Sequence, residues 1–256
     1  MRVLQREAGR TVALEDDGRT VRKTFHGEDG VDVRQLATSE YERMMQFAQA
    51  LVGVAHAECA KPVELALGDA PYIRMERARG IPMQQDLGAT AWESDRYTAV
   101  AGVLRGALIR YIETFGEPYW DFILRNMFYE RASETVTFLD FAVPSLYLPA
   151  IEELKQCAPL EVSLGALLAS SIFEASRPKR ILRRREHRQA PVLAQAVLRR
   201  CLEDSAGLTV EVAGVRRVAH LAYGLASTGG SWFRQAWYGS YGAVVRPVRR
   251  LDDICA

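Results

Sequence analysis

Two carboxylates and an amide stand in an otherwise apolar and aromatic run, YWDFILRNMFYERASETVTFLDFAVPS, at residues 119–145. Asp121 and Asn126 make a D-x-x-x-x-N pattern, and Asp140 ends the second apolar stretch. A buried carboxylate is costly unless it is paired, hydrogen-bonded or holding a metal, so such residues are either chemistry or punctuation. Two more polar outliers lie upstream. Lys23 interrupts the strand-like TVRKTF, and Glu40 falls on the apolar side of a helical segment, four residues from both Leu36 and Met44.

The elements that must position these residues follow from periodicity. RVLQRE, TVALE and TVRKTF are short strands separated by turn signals at AGR and EDDG. After the loop-like HGEDGVD, the stretch RQLATSEYERMMQFAQALVG turns helical, with Leu36, Glu40, Met44, Phe47 and Leu51 on one face. KPVELAL and PYIRMERA are two further strands, and RGIPM is a break. From about residue 91 the period is helical, with Val100, Val103, Leu104, Leu108 and Ile112 as an apolar stripe. NMFYE and TVTFLDF, joined by RASE, make a hairpin within that helical region. LPAIEELKQC, SLGALLASSIFEA, APVLAQAVLRRCLED and VAGVRRVAHLAYGLA are the later helical candidates. The expectation is an α+β, two-lobed chain. Residues 1–80 form a small β-rich lobe with one helix, and residues 81–256 a larger helical lobe that carries the hairpin.

Taken in order, Lys23 in the third strand, Glu40 on the helix, Asp121 and Asn126 around a loop and Asp140 at a strand end resemble the protein kinase-like superfamily. The D-x-x-x-x-N spacing is that of its catalytic loop, and Asp140-Phe141-Ala142 stands where kinases carry D-F-G. TVRKTF resembles the strand of the ATP lysine, and YIRMERARGIPM resembles the strand and hinge before the crossover between lobes. The resemblance covers roughly residues 1 to 145. In form, WDFILRNMFY and VTFLDFA are nearer to aminoglycoside and choline phosphotransferases and to lipopolysaccharide (Kdo and heptose) kinases than to protein kinases. The chain departs from the pattern in three places. It has Gly9 alone in the first hairpin instead of G-x-G-x-x-G, Tyr119-Trp120 where relatives keep a histidine, and no A-P-E after Ala142. An aromatic pair can brace the loop by packing instead.

The resemblance implies a bilobal kinase-like fold, with ATP and Mg²⁺ as cofactors. It implies transfer of the γ-phosphate to a hydroxyl of a small molecule or of a glycolipid sugar. Lys23 would hold the phosphates and Glu40 would pair with it; Asn126 and Asp140 would hold the metal; Asp121 would orient the acceptor and take its proton. The backbone at Glu76 and Ala78 would meet the adenine edge. Two alternatives stay open: a pseudokinase scaffold that binds nucleotide without turnover, and a kinase acting on protein Ser/Thr or RNA.

The whole chain narrows the classes further. At 256 residues and 48% hydrophobic it can bury a sizeable core, and 33 Lys and Arg against 32 Asp and Glu leave no global pull toward nucleic acid or membrane. Such a pull would be local, at the basic RPKRILRRREHR of residues 177–188, which suits an anionic or membrane-surface acceptor. The C-terminal GGSWFRQAWYGSYGAVVRPVRRL mixes aromatic and basic residues, a pattern of packing or of ring stacking. Cys59, Cys157, Cys201 and Cys255 lie far apart, as reduced thiols do, and the four histidines show no metal spacing. Asp69 and Asp86 sit beside Gly and Pro neighbours and are expected to be turn residues. With no apolar leader in MRVLQREAGR and no apolar run near the roughly 20 residues of a span, a cytoplasmic protein is expected. Peripheral contact with a membrane remains open.

Overall fold

Strands β1 (Arg2–Glu7), β2 (Arg10–Leu14) and β3 (Thr20–Phe25) form an antiparallel meander whose first turn is made by Gly9, at φ +74°. The structure is a computed structural model and describes residues 1–7, 9–27, 32–175, 184–228 and 255. Helix α1 (Val33–Ala50) follows. Its N-cap Asp32 accepts the backbone N–H groups of Arg34 and Gln35 at 3.0 and 3.1 Å, so two of the four orphan donors of the first turn are satisfied. Then come β4 (Ala57–Cys59), β5 (Pro62–Ala66) and β6 (Tyr72–Glu76). Strands β5 and β6 complete a five-stranded antiparallel sheet in the order β1-β2-β3-β6-β5, the five-strand-plus-helix lobe that the sequence predicts.

RGIPM is not merely a break. Ile81–Pro82 is a short strand, β7, paired with β8 (Met127–Glu130), and β8 pairs with β9 (Thr135–Phe138) in the expected hairpin. Strand β4, which sequence alternation does not reveal, runs parallel to β9 and closes a second sheet in the order β4-β9-β8-β7. The crossing from β6 to β7 passes Gly80, at φ +75°, where a Cβ would overlap the carbonyl of Tyr129. Only glycine permits both that dihedral and that approach.

The second lobe is helical: α2 (Met83–Ala89), α3 (Ser94–Phe115), α4 (Ile151–Leu154), α5 (Pro159–Ala175), α6 (Arg184–Glu203) and α7 (Val212–Thr228). The two-lobed α+β arrangement expected from the sequence is present, an antiparallel sheet with a helix followed by a helical lobe. Helix α3 buries Val100, Leu104, Leu108 and Ile112 of the predicted stripe, and it ends at Gly116 in the left-handed region, as a C-terminal glycine does. Among the described residues no helix is long and apolar enough to cross a membrane.

Two further sequence readings are corrected. Leu36 is 47% exposed, because the apolar face of α1 begins at Ala37 and continues through Glu40, Met44 and Phe47. Asp86 is not a turn residue but a buried member of α2. It takes a bidentate pair from Arg131, at 2.6 and 2.8 Å, and the indole N–H of Trp92 at 2.7 Å. Beside it, Gln189 of α6 accepts from the Trp92 backbone at 2.6 Å and donates to the carbonyls of Leu87 and Thr90 at 2.5 and 2.9 Å. These bonds fix the end of α2 against α6 and the β8–β9 hairpin. Most of the basic 177–188 segment and all of the aromatic and basic C-terminal segment of residues 229–251 lie outside the described residues, as do the side chains of 184–188.

Gly80→Ala is expected to destabilise the protein by about 1–3 kcal/mol, since it combines a left-handed non-glycine residue with a clash against backbone. Urea denaturation checks this. An unchanged midpoint would show that the crossing tolerates a side chain.

Candidate functional site

Lys23 and Phe25 are the buried residues of β3, and they lie directly opposite Val12 and Arg10 of β2. Opposed residues share a face and the strand period is two, so Arg10, Val12, Lys23 and Phe25 line one side of the sheet. Glu40, itself buried, comes to that side from α1. The Lys23 ammonium donates to Glu40 Oε1 at 2.5 Å and to Asp140 Oδ1 at 3.2 Å, and Arg10 Nη1 donates to the same Asp140 oxygen at 3.0 Å. Four charged residues from β2, β3, α1 and the end of β9 thus form one cluster.

Burial alone would lower the Lys23 pKa, but the carboxylates of Asp140 and Glu40 outweigh it and hold the ammonium above its ordinary value. Burial would raise Asp140, and the charges of Lys23 and Arg10 overcome it and hold that carboxyl low. Glu40 goes the other way: burial pushes it up, Lys23 opposing and Asp140 adding to the push. Its second oxygen, Oε2, is buried without a hydrogen-bond partner, so Glu40 depends on Lys23 for its compensation. Asp140, two residues beyond β9, has φ +59°, a left-handed conformation that aspartate adopts more readily than most non-glycine residues.

The loop of Asp121 is held by packing and by backbone bonds. Tyr119 stacks on Tyr111 with ring centroids 4.6 Å apart and on Phe141 at 5.2 Å, and its hydroxyl donates to the Leu139 carbonyl at 2.7 Å. Its backbone N–H donates to Ser163 Oγ of α5 at 3.0 Å. Tyr119 therefore does by stacking what the sequence suggests an aromatic pair can do. Asn126 Nδ2 donates to Asp121 Oδ2 at 2.6 Å, and the Asn126 carbonyl accepts from the Leu139 N–H at 3.0 Å. Asp121 is brought to the side of Asp140 by these bonds. Burial, followed by the charge of Asp140, pushes its pKa up to about 7, with Arg125 and the Asn126 bond opposing.

Among the described residues no three His, Cys, Asp or Glu side chains form a metal-holding group. Mg²⁺ does not require one, since it is commonly bound by one or two side-chain oxygens with the remainder from phosphates and water. Asp140, kept ionised, offers carboxylate oxygen, and Asn126, whose amino group is engaged by Asp121, offers its amide oxygen. These residues fit that cation.

The two residues expected at the hinge stand apart from the cluster. Glu76 and Ala78 line a cavity of about 410 Å³ together with Leu51, Val52, Ala60 and Arg77, and none of Lys23, Asp121, Asn126 and Asp140 lines it. The Glu76 N–H donates to the Lys61 carbonyl at 2.8 Å and its side chain accepts from Lys61 Nζ at 2.8 Å. The structure thus brings five of the seven predicted residues together and leaves the hinge pair separate. Sequence reasoning missed Arg10, whose signal was a cation immediately after the hairpin glycine, and Ser163, for which the sequence carries none.

Lys23→Ala strands a buried Glu40 and is expected to cost about 3–5 kcal/mol in chemical denaturation. The double variant Lys23→Met with Glu40→Leu should recover most of that loss, because an apolar pair removes both desolvation penalties. No recovery would mean that the pair, not its uncompensated remainder, sets the stability.

No family model matches the chain, and no curated protein matches it. Among solved structures, the chain is similar to the PknI kinase domain of Mycobacterium tuberculosis, with 16% identity over 88% of this chain and 94% of that one and a TM-score of 0.45. A mutant of the same domain gives 17% identity over 77% and 85% of the two chains, at 0.41. Values this low leave the site's own geometry to carry the functional reading.

Proposed function

We propose that the protein is an ATP- and Mg²⁺-dependent phosphotransferase that moves the γ-phosphate to a hydroxyl of a small molecule or of a glycolipid or lipopolysaccharide sugar. The observation that carries this reading is the bonded series Glu40–Lys23–Asp140 on one side, with Asp121 tied through Asn126 to the same strand end. Phosphoryl transfer leaves a protein little covalent work, and catalysis consists of positioning and charge neutralisation.

In this reading residues 1–80 bind nucleotide, with the backbone of Glu76 and Ala78 at the adenine edge, and residues 81–256 supply the loop and the acceptor site. Lys23 holds the phosphates in a rotamer fixed by Glu40. Asn126 and Asp140 hold Mg²⁺, which when bound supplies charge neutralisation at the phosphate oxygens. Asp121 accepts a hydrogen bond from the acceptor hydroxyl and takes its proton as the oxygen bonds to phosphorus and the bond to the leaving oxygen breaks. The oxygen of Asp121 that Asn126 holds is fixed in direction, so the carboxylate presents one defined edge to the acceptor.

The test compares wild type with Asp121→Ala in Mg–ATP turnover, using slow hydrolysis with water in place of the acceptor and nucleotide binding as a second readout. Binding should persist while turnover falls roughly 10²- to 10⁴-fold, the usual contribution of a positioned base. Equal turnover in the two proteins would exclude Asp121 as the base. Binding without turnover even in wild type would favour the scaffold reading.

A further inference from the structure

We propose, resting on the nucleotide reading above, that Arg10 is a phosphate ligand that takes the place of the missing glycine-rich loop, and that it waits on Asp140 when no nucleotide is present. Three observations converge on it.

The first is position. Arg10 opens β2 directly after Gly9, at the hairpin where backbone N–H groups would otherwise cover the phosphates, and it shares the inner face of the sheet with Lys23. The single glycine of this hairpin offers few such groups. A guanidinium with its planar fork of donors replaces them in kind, since it matches phosphate oxygens bidentately.

The second is partner choice. Arg10 and Lys23 converge on one oxygen, Asp140 Oδ1, at 3.0 and 3.2 Å, while Glu40 Oε2 has no hydrogen-bond partner. Both cations thus meet on the one carboxylate that is also the proposed metal ligand. The cluster holds two cations and two carboxylates, Arg10 and Lys23 against Glu40 and Asp140. With a divalent cation held at Asp140, the Arg10 guanidinium would be repelled from that oxygen and would take the phosphate oxygens that accompany the metal as its partner.

The third is exposure. The side chains of Arg10 and Asp140 are each 21% accessible, against 6% for Lys23, so Arg10 approaches from the more open side of the cluster. Lys23 is the buried cation of the site and Arg10 the more accessible one.

Equilibrium binding of adenosine and of ATP, each with Mg²⁺, to wild type, Arg10→Met and Arg10→Lys tests the proposal. Arg10→Met should weaken ATP by about ten- to a hundredfold, the range of a charge-assisted hydrogen bond, and leave adenosine unchanged. Arg10→Lys should restore part of the loss, because it returns the charge without the fork. Equal ATP affinity in wild type and Arg10→Met would overturn the assignment, and so would a parallel loss of adenosine, which marks a merely structural role. If wild type binds adenosine but gains nothing from the phosphates of ATP, the nucleotide-phosphate reading itself fails and Arg10 with it. If wild type binds both and only the variant comparison fails, the nucleotide reading stands without Arg10.

Discussion

The position of one ammonium group decides much of this molecule. Lys23 lies 17 residues from Glu40 and 117 from Asp140, and hydrogen bonds join it to both. A buried lysine is stable only with such partners, and a buried glutamate only with such a lysine. The sheet, the helix and the end of the β9 strand are therefore not free to sit elsewhere. Any arrangement that separates them leaves uncompensated charge in the interior.

The apolar structure behind the charges makes the arrangement rigid. Phe47 lies two turns beyond Glu40 on the buried face of α1, and its ring meets Tyr111, Tyr119, Phe138 and Phe141 edge-on at 5.2 to 6.1 Å. Those four rings come from α3, the Asp121 loop, β9 and the residue after Asp140. One aromatic cluster thus sets where Glu40, Asp121 and Asp140 stand relative to one another. Full burial of a ring such as Phe47 stabilises by about 1.5–3 kcal/mol, comparable with what the charged pairs put at risk. Precise placement of charge here is a consequence of dense packing more than of the charges themselves.

How much of this was legible depended on range along the chain. Strands β3 and β6, helix α1 and the β8–β9 hairpin carry their own periodicity, so Lys23, Glu40, Asp121, Asn126 and Asp140 could be placed on the right elements before any contact was known. Leu36 was misplaced because a helical stripe has no marker for where its packing partner ends. Strands β4 and β7 were missed because three and two residues are too short to show alternation. Asp86 and Arg10 were missed for another reason: their partners lie 45 and 130 residues away, and no local pattern announces a long-range pair. Tyr119 was legible only as a substitution in a motif. Its stacking, which makes the substitution workable, belongs to the tertiary structure.

If the cluster is a site for metal-bound phosphate, nucleotide binding must depend on the metal through Asp140. The direct measurement is calorimetric titration of the protein with ATP, with and without Mg²⁺, in wild type and in Asp140→Asn. Binding is expected to strengthen with the metal in wild type and to lose that metal dependence in the variant. Binding indifferent to Mg²⁺, or equally metal-dependent in both proteins, would contradict it.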